Sequence, residues 1–567
     1  VWRIDLSDFT VEQNDTSWQT ERMSIERNIP GNLGIWVSAD FVDIEFPLEM
    51  TRRVMNSYNT RWPRVMPRQI RGTLHGFDLV LDSRWKMYML GGAMDKVDAW
   101  EWDRYPDVAG ISGSMALLGG EGEINFSGED VRLDWPKNFR RQALVDISAC
   151  TLEILWGRPG EWRMDARDCS VENEYFAVNG RARFAGNEGK PAMDINMMID
   201  RADLPQLDDY WPQSILSPKV INWLRKGIIS GQAAGGRFSL RGDMDEWPFR
   251  GGEGLLLATA GIADAAIDYY PGWPRAGGID LEASFRNTSM SASGVMGDMA
   301  GVAVQQVSAH VEDFKQPVLE MEYRSSAPMP DLIGFIESTP LLDNVDLDLE
   351  PFRFENTAVT SGHLYAPLRS ELGQLSIEGT LSLDGNVFTE MKSGIRLDDL
   401  TGDIRYDREG LRGESLATRF QGHQAELSLD ADWGGDEVFS AALKGEFPVE
   451  NLLPAALMAT EPMLHKFEGS SEFDIGLSVS REAAPEAYET WLDIRSQLAG
   501  VTLDFPVPLA KPPEVEWPLE VRYPLKASDP VMSIRLNDQA TLRFEQGGQL
   551  GAPRRANIHF GEGHGEL

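Results

Sequence analysis

The side chains best suited to acid–base or metal chemistry in this sequence are seven histidines, and their spacing fits neither task. None of them forms the H-x-H or H-E-x-x-H pattern through which two imidazoles reach one zinc ion. They are His75, His310, His363, His423, His465, His559 and His564. The sequence therefore predicts no metal site and no cofactor.

Two other stretches carry groups that could do chemistry. From 345 to 350 acidic residues alternate with aliphatic ones, so this stretch predicts the acidic outer face of a strand rather than a calcium loop. Ser112 and Ser114 lie near Gly110 and Gly113, but the final glycine of a G-x-S-x-G nucleophile motif is missing. We predict that the chain is not an enzyme and has no catalytic residue.

The two cysteines, Cys150 and Cys169, flank a hairpin pattern centred on Pro159 and Gly160. In a hairpin with that centre, residues whose numbers sum to 319 face each other, and the two cysteines satisfy that sum. The spacing therefore allows a cross-strand disulfide. Two unrelated buried thiols are the alternative, and the absence of a C-x-x-C motif argues against a zinc or redox site.

Size and charge limit the possible partners. The 567 residues exceed what one hydrophobic core can organise, so several domains or one elongated repeating body are expected. The chain has 53 Lys and Arg against 89 Asp and Glu, a net charge of −36, which repels nucleic acid and anionic membrane surfaces. The sequence starts with a strand-like pattern of residues and without Met. It contains no run of 18 apolar residues that could span a bilayer. We expect it to be a fragment of a longer protein.

The dominant local pattern is a tight turn followed by an amphipathic strand. From 279 to 286 apolar and polar residues alternate with a period of two, which predicts a half-buried strand. The preceding turn is predicted to be structural and consists of Pro271, Gly272, Trp273 and Pro274. Similar strands, joined by turns such as 384–386 and 408–410, recur along the chain.

Short helical segments interrupt the strands. They are expected near 46–68, within 203–229 (starting at Ser217 and Pro218), at 330–338 and within 449–468. This spacing suggests four modules, 1–202, 203–328, 329–448 and 449–567, each a short helical segment plus several strands. The alternation leaves two arrangements open, a closed sandwich and an open groove.

Several stretches together resemble the YhdP branch of the AsmA-like family. The first is Ser217–Leu224 followed by Gly231, the second runs from Gly242 to Phe249, and the third is Tyr270–Pro274. The fourth is Ser496–Val501 followed by Phe505–Lys511, which is similar to the family pattern S-D-L-x-G and then P-x-P-L-x-K. In this sequence Gln497 replaces the acidic residue and Ala510 the usual glycine. The resemblance covers about residues 70 to 525.

The resemblance implies both a fold and a function. The expected fold is mainly β, an elongated, twisted, mostly antiparallel sheet curled into an open groove, with short helical inserts. The expected function is to shield phospholipid acyl chains between the inner and outer membranes, which supports the outer-membrane barrier. The expected location is the periplasm, with an inner-membrane anchor outside this sequence and partners in both membranes. A non-transporting assembly scaffold and a secreted all-β hydrolase are the alternatives.

A groove for acyl chains would be lined by aliphatic side chains from the apolar strand faces. The candidate lining residues are Ile279, Leu281, Phe285, Val302, Val304, Leu319, Met321, Leu381 and Leu383. Ordinary core packing is the alternative for each of them.

Overall fold

The fold was obtained as a computed structural model. It describes residues 2–13, 16–27, 33–45, 67–83, 87–101, 106–158, 161–186, 191–213, 216–339, 351–391, 394–452, 466–481, 488–526, 531–546 and 553–561. Strands make up 71% of the structure and helices 8%, which confirms the predicted mainly β fold with short helical inserts. Three predicted stretches lie wholly or partly outside the described residues: residues 46–66 of the insert at 46–68, the acidic stretch at 345–350, and residues 453–465 of the segment at 449–468.

The strands are long and follow one another closely along the chain. Sixteen of the described strands precede residue 312: β1 (Trp2–Gln13), β2 (Thr16–Arg27), β3 (Leu33–Asp43), β4 (Gln69–Asp82), β5 (Met87–Trp100), β6 (Asp107–Leu118), β7 (Glu121–Asp134), β8 (Ala143–Arg158), β9 (Glu161–Glu172), β10 (Phe176–Gly186), β11 (Ala192–Asp203), β12 (Ile228–Asp243), β13 (Leu255–Ile267), β14 (Ala276–Arg286), β15 (Ser289–Met299) and β16 (Val302–Val311). The later ones are β17 (Val318–Pro328), β18 (Phe352–Glu355), β19 (Thr357–Pro367), β20 (Ser376–Glu390), β21 (Arg396–Tyr406), β22 (Gly410–Phe420), β23 (His423–Asp432), β24 (Glu437–Pro448), β25 (Phe467–Arg481), β26 (Tyr488–Ser496), β27 (Val501–Leu503), β28 (Leu519–Lys526), β29 (Val531–Leu536), β30 (Ala540–Gln546) and β31 (Pro553–Phe560).

In the described part of the chain, three short α-helices lie where the sequence predicts helical segments. They are α1 (Pro218–Gly227), α2 (Met329–Glu337) and α3 (Val449–Leu452), and 3-10 turns occupy Leu204–Tyr210, Met244–Glu246 and Ser370–Leu372. The predicted start of α1 is confirmed, because the Ser217 hydroxyl accepts a hydrogen bond from the Val220 backbone N–H at 3.4 Å and Pro218 is the first helical residue.

The chain forms two compact units. The first consists of Val1–Pro271, Arg275–Met296 and His310–Pro317, and the second of Gly272–Pro274, Gly297–Ala309 and Val318–Leu567. The finer division into four modules stays a prediction.

The first unit is built on one antiparallel sheet in which every strand from β1 to β14 pairs with the next along the chain. The pairing is continuous from Ile4 opposite Ile25 in the first hairpin to Ala258 opposite Phe285 in the last. Two apolar clusters hold this sheet, one around Leu74 and Phe77 and one around Val131.

The second unit repeats the plan with a few irregularities. β17 pairs with β19, the strands from β19 to β26 pair in sequence order, and β26 pairs with β28, which starts a run to β31. The short strands β18 and β27 attach to β20 and β25. Apolar clusters lie beside α2 and α3, around Leu332 and Phe447.

Two predicted turns have different outcomes. The turn at 408–410 is confirmed, since Tyr406 and Leu411 pair across it. The turn at 384–386 is wrong, because β20 continues through it. Gly385 has a φ of +69° and the pairing register with β21 shifts between Leu383 and Asn386, so the segment is a bulge that bends the strand.

The structure links Cys150 and Cys169 in a disulfide with their Cα atoms 4.1 Å apart. The pairs Arg158–Glu161 and Ala149–Ser170 keep the register sum of 319 that the sequence suggested, while the strands between them are offset by one residue. A bulge on either side of this offset restores the register at the cysteines.

Candidate functional site

The alternation of the second unit's strands places apolar side chains on one face of its sheet. On β23, Leu427 and Leu429 lie on that face, and Glu426 and Ser428 on the opposite, exposed one. We call the first face the apolar face of the unit.

The strand registers bring aliphatic residues of the apolar face into line. Leu416 pairs with Leu427, Leu427 with Leu443, Leu443 with Ile475, and the line continues to the last strand. Its members, the long stripe, are Leu383, Leu416, Leu427, Leu443, Ile475, Ile494, Val521, Ile534, Leu542 and Ile558. The stripe covers β20 to β31, ten strand spacings or roughly 48 Å along the sheet.

Burial changes across the apolar face. Near α2 and α3 the side chains are fully enclosed, as for Leu416 and Phe447, each 0% exposed. In the next row away from these helices, the side chains are only half-buried: Leu381, Ile404, Leu429, Leu477 and Leu492. A second sheet packed over this row would bury its aliphatic groups completely. The row is therefore only partly covered by the described residues.

The first unit carries a similar line of apolar residues. Met115 pairs with Ile124, which pairs with Leu152, and the register continues in the same way through five more strands. The members of this short stripe are Met115, Ile124, Leu152, Ala166, Ala182, Ile195, Leu240 and Leu256. It covers β6 to β13, so each unit has an apolar line that crosses many strands.

The predicted lining residues fall into two groups by burial. Four are fully buried and pack in the cores: Ile279 (2% exposed), Val302 (4%), Val304 (8%) and Leu383 (5%). Five reach the surface, with Phe285 40% exposed and the others half-buried: Leu281, Phe285, Leu319, Met321 and Leu381.

Within the second unit, the pairing places Leu319, Met321, Leu381 and Leu383 on the same face, and Val302 joins the cluster that contains Leu381 and Leu383. In the first unit, Leu281 and Phe285 share a face with the short stripe through Ile262 and Ala258. Contact of any of these residues with lipid stays a prediction.

The opposite face of the second unit is polar. A depression of about 640 Å³ on that face is lined by charged and polar side chains such as Glu322, Arg324, His363 and Arg405. These residues alternate along their strands with those of the apolar face, so the depression does not belong to it.

On the apolar face, the hydroxyl groups of Tyr323 on β17, Thr360 on β19 and Tyr406 on β21 form a cluster. The Tyr323 and Tyr406 hydroxyls lie 2.6 Å apart, and the Thr360 hydroxyl lies 2.8 Å from that of Tyr406. The two tyrosines reach each other across Gly362 and Gly379, which pair directly.

Glycine is required beneath the two rings. A Cβ atom at Gly362 would lie 2.7 Å from the Tyr323 hydroxyl oxygen, and one at Gly379 would lie 2.5 Å from that of Tyr406. The rings therefore lie flat on the backbone of the two central strands. Burial raises the pKa of Tyr323 above its ordinary value, and the adjacent Tyr406 hydroxyl raises it further. Tyr323 is therefore neutral at physiological pH. No local sequence pattern predicts this cluster, because Tyr323 and Tyr406 are 83 residues apart.

Lys511 is a second feature that the sequence did not predict. Its side chain is buried, and its Nζ donates hydrogen bonds to the backbone carbonyls of Leu498 (2.7 Å), Val501 (2.7 Å) and Pro512 (3.3 Å). Loss of hydration lowers the pKa of Lys511. The ammonium group ties the loop between β26 and β28 to the cluster beside α3. Lys511 ends the Phe505–Lys511 stretch that resembles the family pattern, but nothing in that stretch itself predicts a buried lysine.

Within the described ranges, no group of three or more His, Cys, Asp or Glu side chains is placed to hold a metal ion. The longest α-helix in the same ranges has 10 residues, short of the roughly 20 that cross a bilayer.

Comparison with known proteins agrees with the resemblance seen in the sequence. The sequence model of the family described as "YhdP protein" matches residues 1–566. The intermembrane phospholipid transporter YhdP of Escherichia coli (strain K12) is 22% identical over 473 residues, which cover 82% of this chain and 35% of that protein. The chain thus spans about a third of the length of this relative.

Proposed function

Because this chain belongs to the YhdP family, we propose that it is a non-enzymatic segment of a bridge that carries phospholipids between two membranes. The observation that carries the proposal is the half-buried aliphatic row beside the long stripe. A surface of this kind accepts acyl chains without holding any one of them tightly.

The physical need for such a surface follows from the cost of wetting lipid. Each methylene group exposed to water costs about 0.8 kcal/mol, so two acyl chains of roughly 15 methylenes would cost about 24 kcal/mol. That barrier makes unassisted passage through water negligible. An uncovered apolar face removes most of the cost, while the headgroup stays in contact with water.

The setting proposed for this activity is the periplasm of a two-membrane envelope. The name of the Escherichia coli relative describes transport between membranes. We propose that the complete protein is anchored in the inner membrane, meets components of both membranes at its ends and supports the outer-membrane barrier. The many acidic residues of the chain fit this role, because they keep the polar surface hydrated and away from anionic headgroups.

Photo-crosslinking tests the carrier function directly. A photoreactive amino acid replaces Leu281 in the first unit or Leu381 in the second, and the matched controls carry it at Glu282 or Ser382, on the opposite face of the same strands. Lipid adducts are expected from 281 and 381 and not from 282 and 382. If 281 and 381 give no adduct while the protein remains folded, the chain is a scaffold and not a carrier.

A further inference from the structure

The hydroxyl cluster of Tyr323, Tyr406 and Thr360 has a hydrogen-bonding capacity that its own contacts do not exhaust. Three hydroxyl groups supply three donors. The Tyr323–Tyr406 and Thr360–Tyr406 hydrogen bonds use two of them, and the Thr360 hydroxyl also lies beside that of Tyr323. Because a hydroxyl hydrogen can rotate, the third O–H donor can turn to a further acceptor, in a half-buried position on the apolar face.

The surroundings of the cluster favour an uncharged acceptor. The neighbouring row on one side contains Met321, Leu364 and Ile377, and the row on the other side contains Leu381 and Ile404. These described positions carry no cationic side chain. A phosphate group would lose hydration there without a countercharge, whereas a carbonyl oxygen needs only the hydrogen bond.

We propose that Tyr323, Tyr406 and Thr360 form a binding station for the ester carbonyl of a diacyl lipid. The inference rests on the proposed lipid-carrying function and adds the part of the lipid that is recognised. An ester carbonyl lies where the acyl chain begins, so a chain held at the cluster extends directly onto the aliphatic row of Leu381 and Ile404. The flat tyrosine rings supply a smooth floor, and the spare hydroxyl donor supplies a preferred stopping position.

Binding of two matched lipids to the 567-residue chain tests the proposal. One is a diester phosphatidylcholine, and the other is its diether analogue with the same headgroup and chain lengths but no carbonyl group. The wild-type chain is expected to bind the diester about three- to tenfold more tightly, the effect of one net hydrogen bond. The double variant Tyr323→Phe, Tyr406→Phe keeps both rings and is expected to lose this preference. Tyr365→Phe, on the opposite face of β19, is the matched control and should keep it.

A second measurement does not depend on the variants folding. The infrared carbonyl band of an isotope-labelled diester bound to the wild-type chain should shift to lower frequency, as it does when a hydroxyl donates to the ester. Equal affinity of the wild-type chain for both lipids, or an unshifted carbonyl band, would overturn the binding station and leave the carrier function intact. Failure of the wild-type chain to bind either lipid would overturn both.

Discussion

A single charge in the half-buried aliphatic row beside the long stripe should obstruct lipid movement. Leu429 is half-buried on β23, where it faces Gly413 and Ala441, with small neighbours on both sides. In Leu429→Asp a carboxylate replaces the isobutyl group. No described cation lies on the neighbouring positions of that row to pair with this carboxylate, so it keeps its shell of water. Loss of the half-buried side chain costs about 1 kcal/mol of stability, so the sheet should persist.

The size of the obstruction follows from the strand spacing. A hydrated carboxylate wets the face over about one spacing of 4.8 Å, a length that holds roughly four methylene groups of an acyl chain. At about 0.8 kcal/mol each, one chain passing the site meets an added barrier of about 3 kcal/mol. Transfer should therefore slow by about 100-fold.

The assay follows a fluorescent phospholipid from donor to acceptor vesicles that are tethered by tags at the two ends of the chain. Ser428→Asp is the matched control, since it adds the same charge to the same strand on the polar face, and its transfer rate should equal that of the wild type. Thermal melting checks that both variants are folded. A wild-type transfer rate in Leu429→Asp would refute the idea that lipids travel along this row, and equal slowing in both variants would assign the effect to net charge.

Three other predictions concern stability. Replacing Cys150 and Cys169 by Ser removes a cross-link between residues 19 apart and should lower the free energy of unfolding by about 3 kcal/mol, measured by urea denaturation under oxidising conditions. Lys511→Met leaves three carbonyls without their donor and should destabilise the surrounding loop by about 3 kcal/mol, seen as faster amide exchange at 498–511 with unchanged exchange in the first unit. The hydrogen bond from Arg250 (2.6 Å) holds the pKa of Asp313 below its ordinary value of 3.8, so its stabilisation persists above pH 3.8 and is lost as the pH falls below that value. Asp313→Asn should cost at most about 1 kcal/mol at neutral pH and should remove this part of the acid dependence of amide exchange at 310–317.

Local patterns in the sequence predicted several strands and helices correctly. The alternation at 279–286 predicts β14, and Ser217 with Pro218 predicts the start of α1, because both signals depend on residues within one strand or one helical turn. The bulge at Gly385 was mistaken for a hairpin turn, since a glycine with positive φ serves both structures and only the partner strand distinguishes them.

The properties that matter for the site depend on many strands at once. Alternation shows that Leu429 and Leu477 lie on an apolar face, but it does not show whether a second layer covers that face. The long stripe arises from ten successive registers, several of them shifted by bulges that no local signal announces. For the same reason Tyr323 and Tyr406 meet only after β19 and β20 have been placed between them.

The pairing of each strand with its successor has a consequence for how such a protein can change its reach. Inserting one hairpin adds two strands and lengthens the apolar line by about 10 Å, and the even number returns the chain to the same edge in the same direction. Only the strand pair at the insertion point is separated. The other strand pairs remain, because each of them joins strands that are close together in the chain. Deleting a hairpin shortens the line by the same step. The length of each unit's sheet can therefore change in fixed steps, through duplication or loss of short gene segments.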